Sequence, residues 1–309
     1  MAKKEITNIA VSVKEKLNNY SRKNSLEFNS VLLQYIQERF LFRISKSIYS
    51  NNFVLKGALL FLAHDISRLR PTKDIDLLGS HLPNKTNSLK EVFQEIASIN
   101  FDDGLVFDPE SVLGEEIVEQ DKYPGVRIKL SARLGSIRHK IQIDIGFGDI
   151  IYPGAVIMDY PALLDYEAPH LNVYSIESAV AEKFEAIVSL GIATSRMKDF
   201  YDIHFFASSK EFDLLTLHTA LTETFNNRQT SIEKRQSVFD DKFKNDKNLQ
   251  MLWSAFLKKR LLNSDINFYK MVSKIETFIE PASNYSGAAK TWNYKKWKWN
   301  SLIFDGRWD

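Results

Sequence analysis

Phe53-Val54-Leu55-Lys56-Gly57-Ala58 and Lys73-Asp74-Ile75-Asp76-Leu77-Leu78 are the stretches on which the reading of this chain turns. In the first, three apolar residues stop at Lys56-Gly57, and Ala58 to Ala63 suits a helix that begins at the glycine. This predicts a strand, a tight turn and a helix. The second alternates: a strand there puts Asp74 and Asp76 on one face, with Ile75 and Leu77 on the other. Two like charges on one surface are costly unless a cation offsets them. A glycine turn feeding a helix lets backbone N–H groups approach phosphate oxygens.

Downstream, Leu89, Val92, Phe93 and Ile96 mark a helix around 86–99, followed by strand-like runs at 104–108, 125–133 and 138–147. The last contains Ile141-Gln142-Ile143-Asp144-Ile145-Gly146, a third acid between two isoleucines, with Lys140 and Gln142 as its partners on the polar face. A third carboxylate beside Asp74 and Asp76 would complete an oxygen-rich site suited to Mg²⁺ and substrate phosphates. An isolated Asp-x-Asp is common on surface strands. Here it lies amid Ile75, Leu77 and Leu78, where solvated decoration is a poor explanation. Together these features point to metal-assisted phosphoryl transfer.

Upstream, Ile6, Ile9, Val13, Leu17 and Tyr20 step by three and four and predict a helix over 3–22. A second follows over roughly 27–49, its wide apolar face set apart from Glu38, Arg39, Arg43 and Lys46. After a loop segment carrying Pro153 and Pro161, helical periodicity returns at 176–190 and 196–208, with two or three more helices to about 280. The expected fold is α/β (α+β): N-terminal packing helices over 1–50, a small mixed β-sheet core flanked by helices over 51–170, and a helical C-terminal domain over 171–309.

Composition narrows the chemistry. The 309 residues hold no cysteine, which excludes disulfides, cysteine-zinc sites and thiol nucleophiles. The six histidines form no i,i+4 metal-ligand pair, and neither a Gly-x-x-x-x-Gly-Lys-Ser/Thr loop nor a Gly-x-Ser-x-Gly elbow occurs. His204, among Ile203, Phe205 and Phe206, reads as a satisfied interior or edge residue. The N-terminus lacks the apolar core of a signal peptide, and the most apolar window, Phe53 to Ala63, is too short to span a bilayer. A cytoplasmic protein without membrane contact is expected.

Net charge is only +2, but residues 203–309 carry 17 Lys and Arg against 12 Asp and Glu. Lys290, Lys295, Lys296 and Lys298 there interleave with Trp292, Tyr294, Trp297 and Trp299. Lysines for phosphates and rings for bases would suit RNA. The plainer expectation is that the rings dock this segment onto the helices while the lysines reach outward. Lys258, Lys259 and Arg260, with Arg228, Lys234 and Arg235, add a broader basic field.

Phe53-Val54-Leu55-Lys56-Gly57-Ala58, Arg70-Pro71-Thr72-Lys73-Asp74-Ile75-Asp76, Ile143-Asp144-Ile145, Ala181-Glu182-Lys183 and Arg196-Met197-Lys198-Asp199-Phe200-Tyr201-Asp202 follow one another in an order that resembles the AbiEii-type nucleotidyltransferase toxins. These belong to the DNA polymerase β-like nucleotidyltransferase superfamily. The resemblance implies a toxin of a toxin–antitoxin or phage-defence pair that moves a nucleotide from an NTP, in known members to the 3′ end of tRNA, with an antitoxin as partner. Carried over by position, Asp74, Asp76 and Asp144 would hold Mg²⁺, and Asp144 would orient or deprotonate the attacking hydroxyl. Lys56, Gly57 and Ala58 would form the phosphate turn, and the C-terminal domain would close the nucleotide cleft. Lys183 and Asp199 map onto the family's functional Lys and Asp, with Arg196 and Asp202 as further nucleotide-binding residues.

The chain departs from the pattern at Ala58, where relatives have Gly or Ser; this bears on the choice of donor. The helix residues also have a plain structural reading: Lys198 and Asp202 as an exposed i,i+4 pair, and Glu182-Lys183 as a solvated edge. Two rival functions stay open: transfer to a small molecule or protein hydroxyl, and nucleotide binding without catalysis.

Overall fold

The computed structural model describes residues 8–64, 72–117, 125–260 and 266–301. Two compact units result, one of residues 1–148 and 156–173, the other of 149–155 and 174–309. Ile6, Arg70 and Pro71, used in the sequence reading, lie outside the described residues, as does the side chain of Arg260.

In the first unit α1 (Ile9–Lys23) starts at Asn8, whose side chain accepts from the Val11 N–H. α2 (Phe28–Lys46) starts at Glu27, which accepts from the Asn29 and Ser30 N–H groups. It stops short of residue 49 because Ser47 turns extended, and a 3-10 turn follows at Ser50–Asn52. Then come β1 (Phe53–Lys56), a 3-10 turn at Gly57–Leu59, α3 (Leu60–Ala63), β2 (Asp74–Gly79) and α4 (Thr86–Ser98). β3 (Leu105–Ile117), β4 (Gly125–Leu134), β5 (Ile137–Phe147), β6 (Val156–Asp159) and β7 (His170–Val173) complete it.

The seven strands lie in the order β3-β4-β5-β2-β1-β7-β6. β2 and β5 are parallel, as are β1 and β7, and the other pairs are antiparallel, giving the expected mixed sheet. Ile75, Leu77, Ile141, Ile143 and Ile145 are each at most 2% exposed, so one side of β2 and β5 belongs to the core. The opposite parity carries the acids.

Three local readings differ from the sequence expectation. β3 continues past 108 through Pro109, because a register shift between Asp108 and Leu113 takes the proline out of the ladder. The supposed loop around Pro153 and Pro161 contains β6, a four-residue edge strand too short to announce itself. Glu38, Arg39 and Arg43, set apart from the apolar face in the sequence, are nevertheless buried. Arg43 forks onto Asp103 at 2.7 and 3.1 Å, and Arg39 donates to the same carboxylate at 3.2 Å. Glu38 accepts from the Leu163 N–H at 2.6 Å, and burial pushes its carboxyl up to about 7.

The second unit opens with 149–155, tied to the start of α5 (Ile176–Leu190): Ser175 and Ser178 hydroxyls donate to the Tyr152 carbonyl at 2.7 and 3.1 Å. It continues with α6 (Met197–Ser209), α7 (Leu214–Asn227), α8 (Gln236–Phe239), α9 (Asp241–Lys244), α10 (Lys247–Arg260) and α11 (Phe268–Ser283). β8 (Lys290–Asn293) and β9 (Lys298–Ser301) form a hairpin where the sequence showed only a basic aromatic stretch. Its core is aromatic, with Phe184, Phe200, Phe206, Phe278, Trp253 and Trp292 all at most 1% exposed. The basic field is smaller than the sequence suggests. Arg235 is buried against Glu280 and Asn284, and Arg228 is taken up by Asp149, Glu182 and Glu185.

Candidate functional site

The register of the first unit's sheet assembles a row of charges. Lys56 on β1 is opposite Asp76 on β2, Asp76 is opposite Asp144 on β5, Asp144 is opposite Arg127 on β4, and Arg127 is opposite Glu115 on β3. Paired positions in a sheet share a face, so these five side chains stand on one side of five strands. Asp74 is opposite Gln142 in the neighbouring row. All three aspartates are half-buried.

The turn after β1 is fitted to Asp76. Gly57 has φ +70°, and a Cβ there would stand 1.9 Å from Asp76 Oδ2. Only glycine leaves room for that carboxylate. Lys56 reaches across toward β5, its Nζ 4.0 Å from where a side chain at Gly146 would begin. Ala58 is buried inside the turn.

Asp144 is held by a partner that the sequence reading missed. Arg127 donates from Nε to Oδ1 at 2.9 Å and from Nη2 to Oδ2 at 2.8 Å, and Gln142 Nε2 adds a contact at 3.1 Å. The hydrogen bond to Asp144 raises Arg127 above its usual range, with the charges of Asp144 and Asp74 adding to it against a burial penalty. The signal was present in the alternation Val126-Arg127-Ile128-Lys129-Leu130, whose cations take the outward parity. It needed the β4/β5 register to become a statement about Asp144.

The donor set can be weighed for Mg²⁺. No group of three or more His, Cys, Asp or Glu drawn together tightly enough to hold a metal ion occurs among the described residues. Mg²⁺, however, is commonly bound through one or two carboxylates, the remaining positions going to water and substrate phosphate. Asp74 and Asp76, alternate residues of one strand on one face, supply such a pair of hard oxygen donors. They fit the ion; Asp144, as paired here, has both oxygens occupied by Arg127.

In the second unit α5 and α6 bring Lys183, Arg196, Asp199 and Asp202 together. Lys183 Nζ donates to Asp202 Oδ2 at 2.9 Å and to Asp199 Oδ1 at 3.4 Å, and Arg196 Nε donates to Asp199 Oδ2. Asp199 and Asp202 are at most 1% exposed. The plain reading of Lys198 and Asp202 as an exposed pair therefore fails, and Lys183 is a mostly buried counterion rather than a solvated edge. A short step along α5, Glu182 accepts from the Tyr174 hydroxyl at 2.7 Å, while Thr230 donates to Glu185. Burial works against the charge of Arg228, but Glu182 and Asp149 outweigh it and hold the guanidinium above its usual range.

Comparison with known proteins supplies the family. The Helicobacter pylori protein JHP933 is similar in structure, at 16% identity and a TM-score of 0.44, over 84% of this chain and 96% of that one. A second H. pylori structure is similar at 16% identity and a TM-score of 0.41, over 84% of this chain and 100% of that one. No curated protein matches the sequence. Among the described residues no helix is long and apolar enough to cross a membrane. Residues 39–277 match the family described as the nucleotidyl transferase AbiEii toxin of type IV toxin–antitoxin systems. With that match running from α2 through the Gly57 turn, the three aspartates and the Lys183 cluster into α11, the chain belongs to the AbiEii family and is a nucleotidyltransferase.

Proposed function

We propose that this nucleotidyltransferase transfers NMP from an NTP to the 3′ end of an RNA, with tRNA as the acceptor, and that it depends on Mg²⁺. The observation that carries the reading is the fit of the Gly57 turn to Asp76, on a strand whose Asp74 shares the same face. In the reaction the RNA 3′-oxygen forms a bond to the α-phosphorus in line with the bond to the bridging oxygen that breaks. Pyrophosphate leaves with that electron pair, and the hydroxyl proton passes to a base. Mg²⁺ held by Asp74 and Asp76 would neutralise charge developing on the phosphate oxygens.

The chain's own groups do the rest. Backbone N–H groups of the Gly57 and Ala58 turn approach phosphate oxygens, with no Cβ at Gly57 to hinder them. Lys56 brings a positive charge to the same row. Asp144 accepts the proton or orients the hydroxyl, which requires one of its oxygens to leave the Arg127 fork. Lys183, Asp199, Arg196 and Asp202 take their nucleotide-handling roles from the family resemblance. A cognate antitoxin restrains the enzyme in the cytoplasm, where modification of tRNA ends halts translation.

The test is to incubate the purified protein with total tRNA, Mg²⁺ and each α-labelled NTP in turn, with Asp76→Ala and chelator controls. Label on tRNA that both controls abolish is the expected result and names the donor. Label on protein or metabolites instead would overturn the acceptor, and absence of label from every acceptor class would overturn turnover itself.

A further inference from the structure

The β8–β9 hairpin sorts its aromatic residues into two kinds. Trp292 and Trp299 are register partners and dock inward, the first donating its Nε1 to the Ala207 carbonyl at 2.7 Å, the second to the Phe278 carbonyl at 3.0 Å. For these two the docking expectation holds. Trp297, in the turn between the strands, is held at φ +49°, a region non-glycine residues seldom occupy. Its Nε1 is shut off from solvent and has no hydrogen-bond partner.

A second orphan lies beside it. The His204 ring on α6 is 5.0 Å from that of Trp297, and its Nε2 is also enclosed without a partner, so the histidine is not the satisfied residue expected from sequence. Burial, reinforced by the charge of Lys274, pushes His204 down to about 4, leaving it neutral near pH 7. Enclosed polar atoms without partners are uncommon, and each calls for an explanation. Two within one aromatic contact call for a shared one.

A shallow cavity of about 280 Å³ opens here, lined by Tyr269, Lys270, Ser273, Lys274, Thr277 and Trp297. Positions 270, 273, 274 and 277 follow helical spacing and form the side of α11 opposite buried Met271, Val272, Ile275 and Ile279. Lys274 Nζ stands 3.9 Å over the Trp297 ring. No lining residue is acidic, although Tyr269 at the rim donates its hydroxyl to Asp241 at 3.3 Å. The acids of α11 are already engaged, Glu276 by Lys244 and Glu280 by Arg235. The turn that carries Trp297 adds Lys295 and Lys296, both exposed, and Lys298 follows.

We propose that this face of the second unit binds a single-stranded segment of RNA. One base stacks on Trp297 as Lys274 swings from the ring to a phosphate. A single strand can present an unstacked base to a recessed ring, whereas a duplex keeps its bases paired. Trp297 and the turn lysines lie beyond residue 277, where the family match ends, whereas the α11 residues of the lining lie within it. The proposal rests on the reading that the acceptor is RNA, and its residues belong to the second unit, whereas Asp76 belongs to the first.

The test uses the full chain carrying Asp76→Ala, to silence turnover, and a fluorescein-labelled single-stranded RNA of about a dozen nucleotides. Anisotropy is read against salt, with a duplex of the same sequence and an acidic peptide as comparators. In that background Lys270→Ala/Lys274→Ala is expected to weaken single-strand binding at least about tenfold, and to flatten the log K against log salt slope by about 0.7 for each phosphate that is no longer neutralised. Lys295→Ala/Lys296→Ala, at two exposed positions of the turn, should flatten it likewise. Unchanged melting curves keep a folding defect from mimicking the effect. Undiminished binding by both variants overturns the site, as does equal affinity for the duplex or for the acidic peptide. The labelling assay distinguishes the two readings: if enzyme with Asp76 intact and the Lys270/Lys274 pair replaced labels tRNA at the unmodified rate and RNA concentration dependence, this site fails and the acceptor stands. If the unmodified enzyme labels no RNA, the acceptor reading fails.

Discussion

Arg127 grips both carboxylate oxygens of Asp144 from the adjacent antiparallel strand, at 2.9 and 2.8 Å. The fork fixes the carboxylate plane and takes up the oxygens that a proton or a metal would need. We predict that Arg127→Gln lowers kcat about tenfold to a hundredfold, by loosening the orientation of Asp144, while the KM for NTP stays within about twofold. Arg127→Lys should recover little, because an ammonium cannot form the fork. Steady-state kinetics check this; a change confined to KM would show that Arg127 serves binding instead.

Gly57 tests the turn. Gly57→Ala places a methyl group where Asp76 Oδ2 now stands and also strains a backbone at φ +70°. The strain is worth about 1–2 kcal/mol, and moving the carboxylate should cost activity well beyond that. We expect a loss of at least about a hundredfold in transfer, larger than the fall in stability accounts for. Urea melts beside rate measurements decide; wild-type turnover would contradict the close fit.

Lys183 serves two buried carboxylates at once. Removing it in Lys183→Met takes away the cation that Asp202 meets at 2.9 Å, which should destabilise the second unit by about 3–5 kcal/mol. Adding Asp202→Asn removes the charge that the lysine faced and should restore much of the stability. If Lys183 or Asp202 also handles the nucleotide, the double variant stays inactive although folded. Recovered activity would make the lysine purely structural.

Glu38 gives the stability a pH dependence. Its carboxyl is raised from the ordinary value of about 4.5 to about 7 in the folded chain, chiefly by burial. Between those values the folded state holds a proton that the unfolded state has released, so this group's contribution is full below pH about 4.5 and declines as pH rises through about 7. The amount is on the order of 3 kcal/mol. Chemical melts of Glu38→Gln, which keeps an oxygen for the Leu163 N–H, should show that decline removed. An unaltered pH profile would mean that Arg39 keeps the acid ionised.

Strong local periodicity makes the helices and central strands legible in the sequence alone. Asp74-Ile75-Asp76 and Ile143-Asp144-Ile145 each announce a strand and a face, and Gly57 announces a turn. What stayed hidden depends on partners distant in sequence. Arg127 became a site residue only through its pairing with β5, seventeen positions on. Asp202 looked exposed because its cation, Lys183, belongs to another helix. The burial of Arg39 and Arg43 stayed hidden because Asp103, sixty or more residues away, is what permits it. β6 and β7 were missed for a different reason: four residues carry too little pattern, and pairing alone defines them.

The path of the backbone between the two units has a consequence for how the enzyme could be divided. Residues 149–155 belong to the second unit and 156–173 to the first, so the chain passes from one to the other three times. A cut before residue 156 strips β6 and β7 from the sheet, and a cut after 173 leaves Ser175 and Ser178 on a different fragment from the Tyr152 carbonyl they hold. No single scission yields both units whole. Such a chain resists separation into two reading frames, or exchange of one half by a simple fusion.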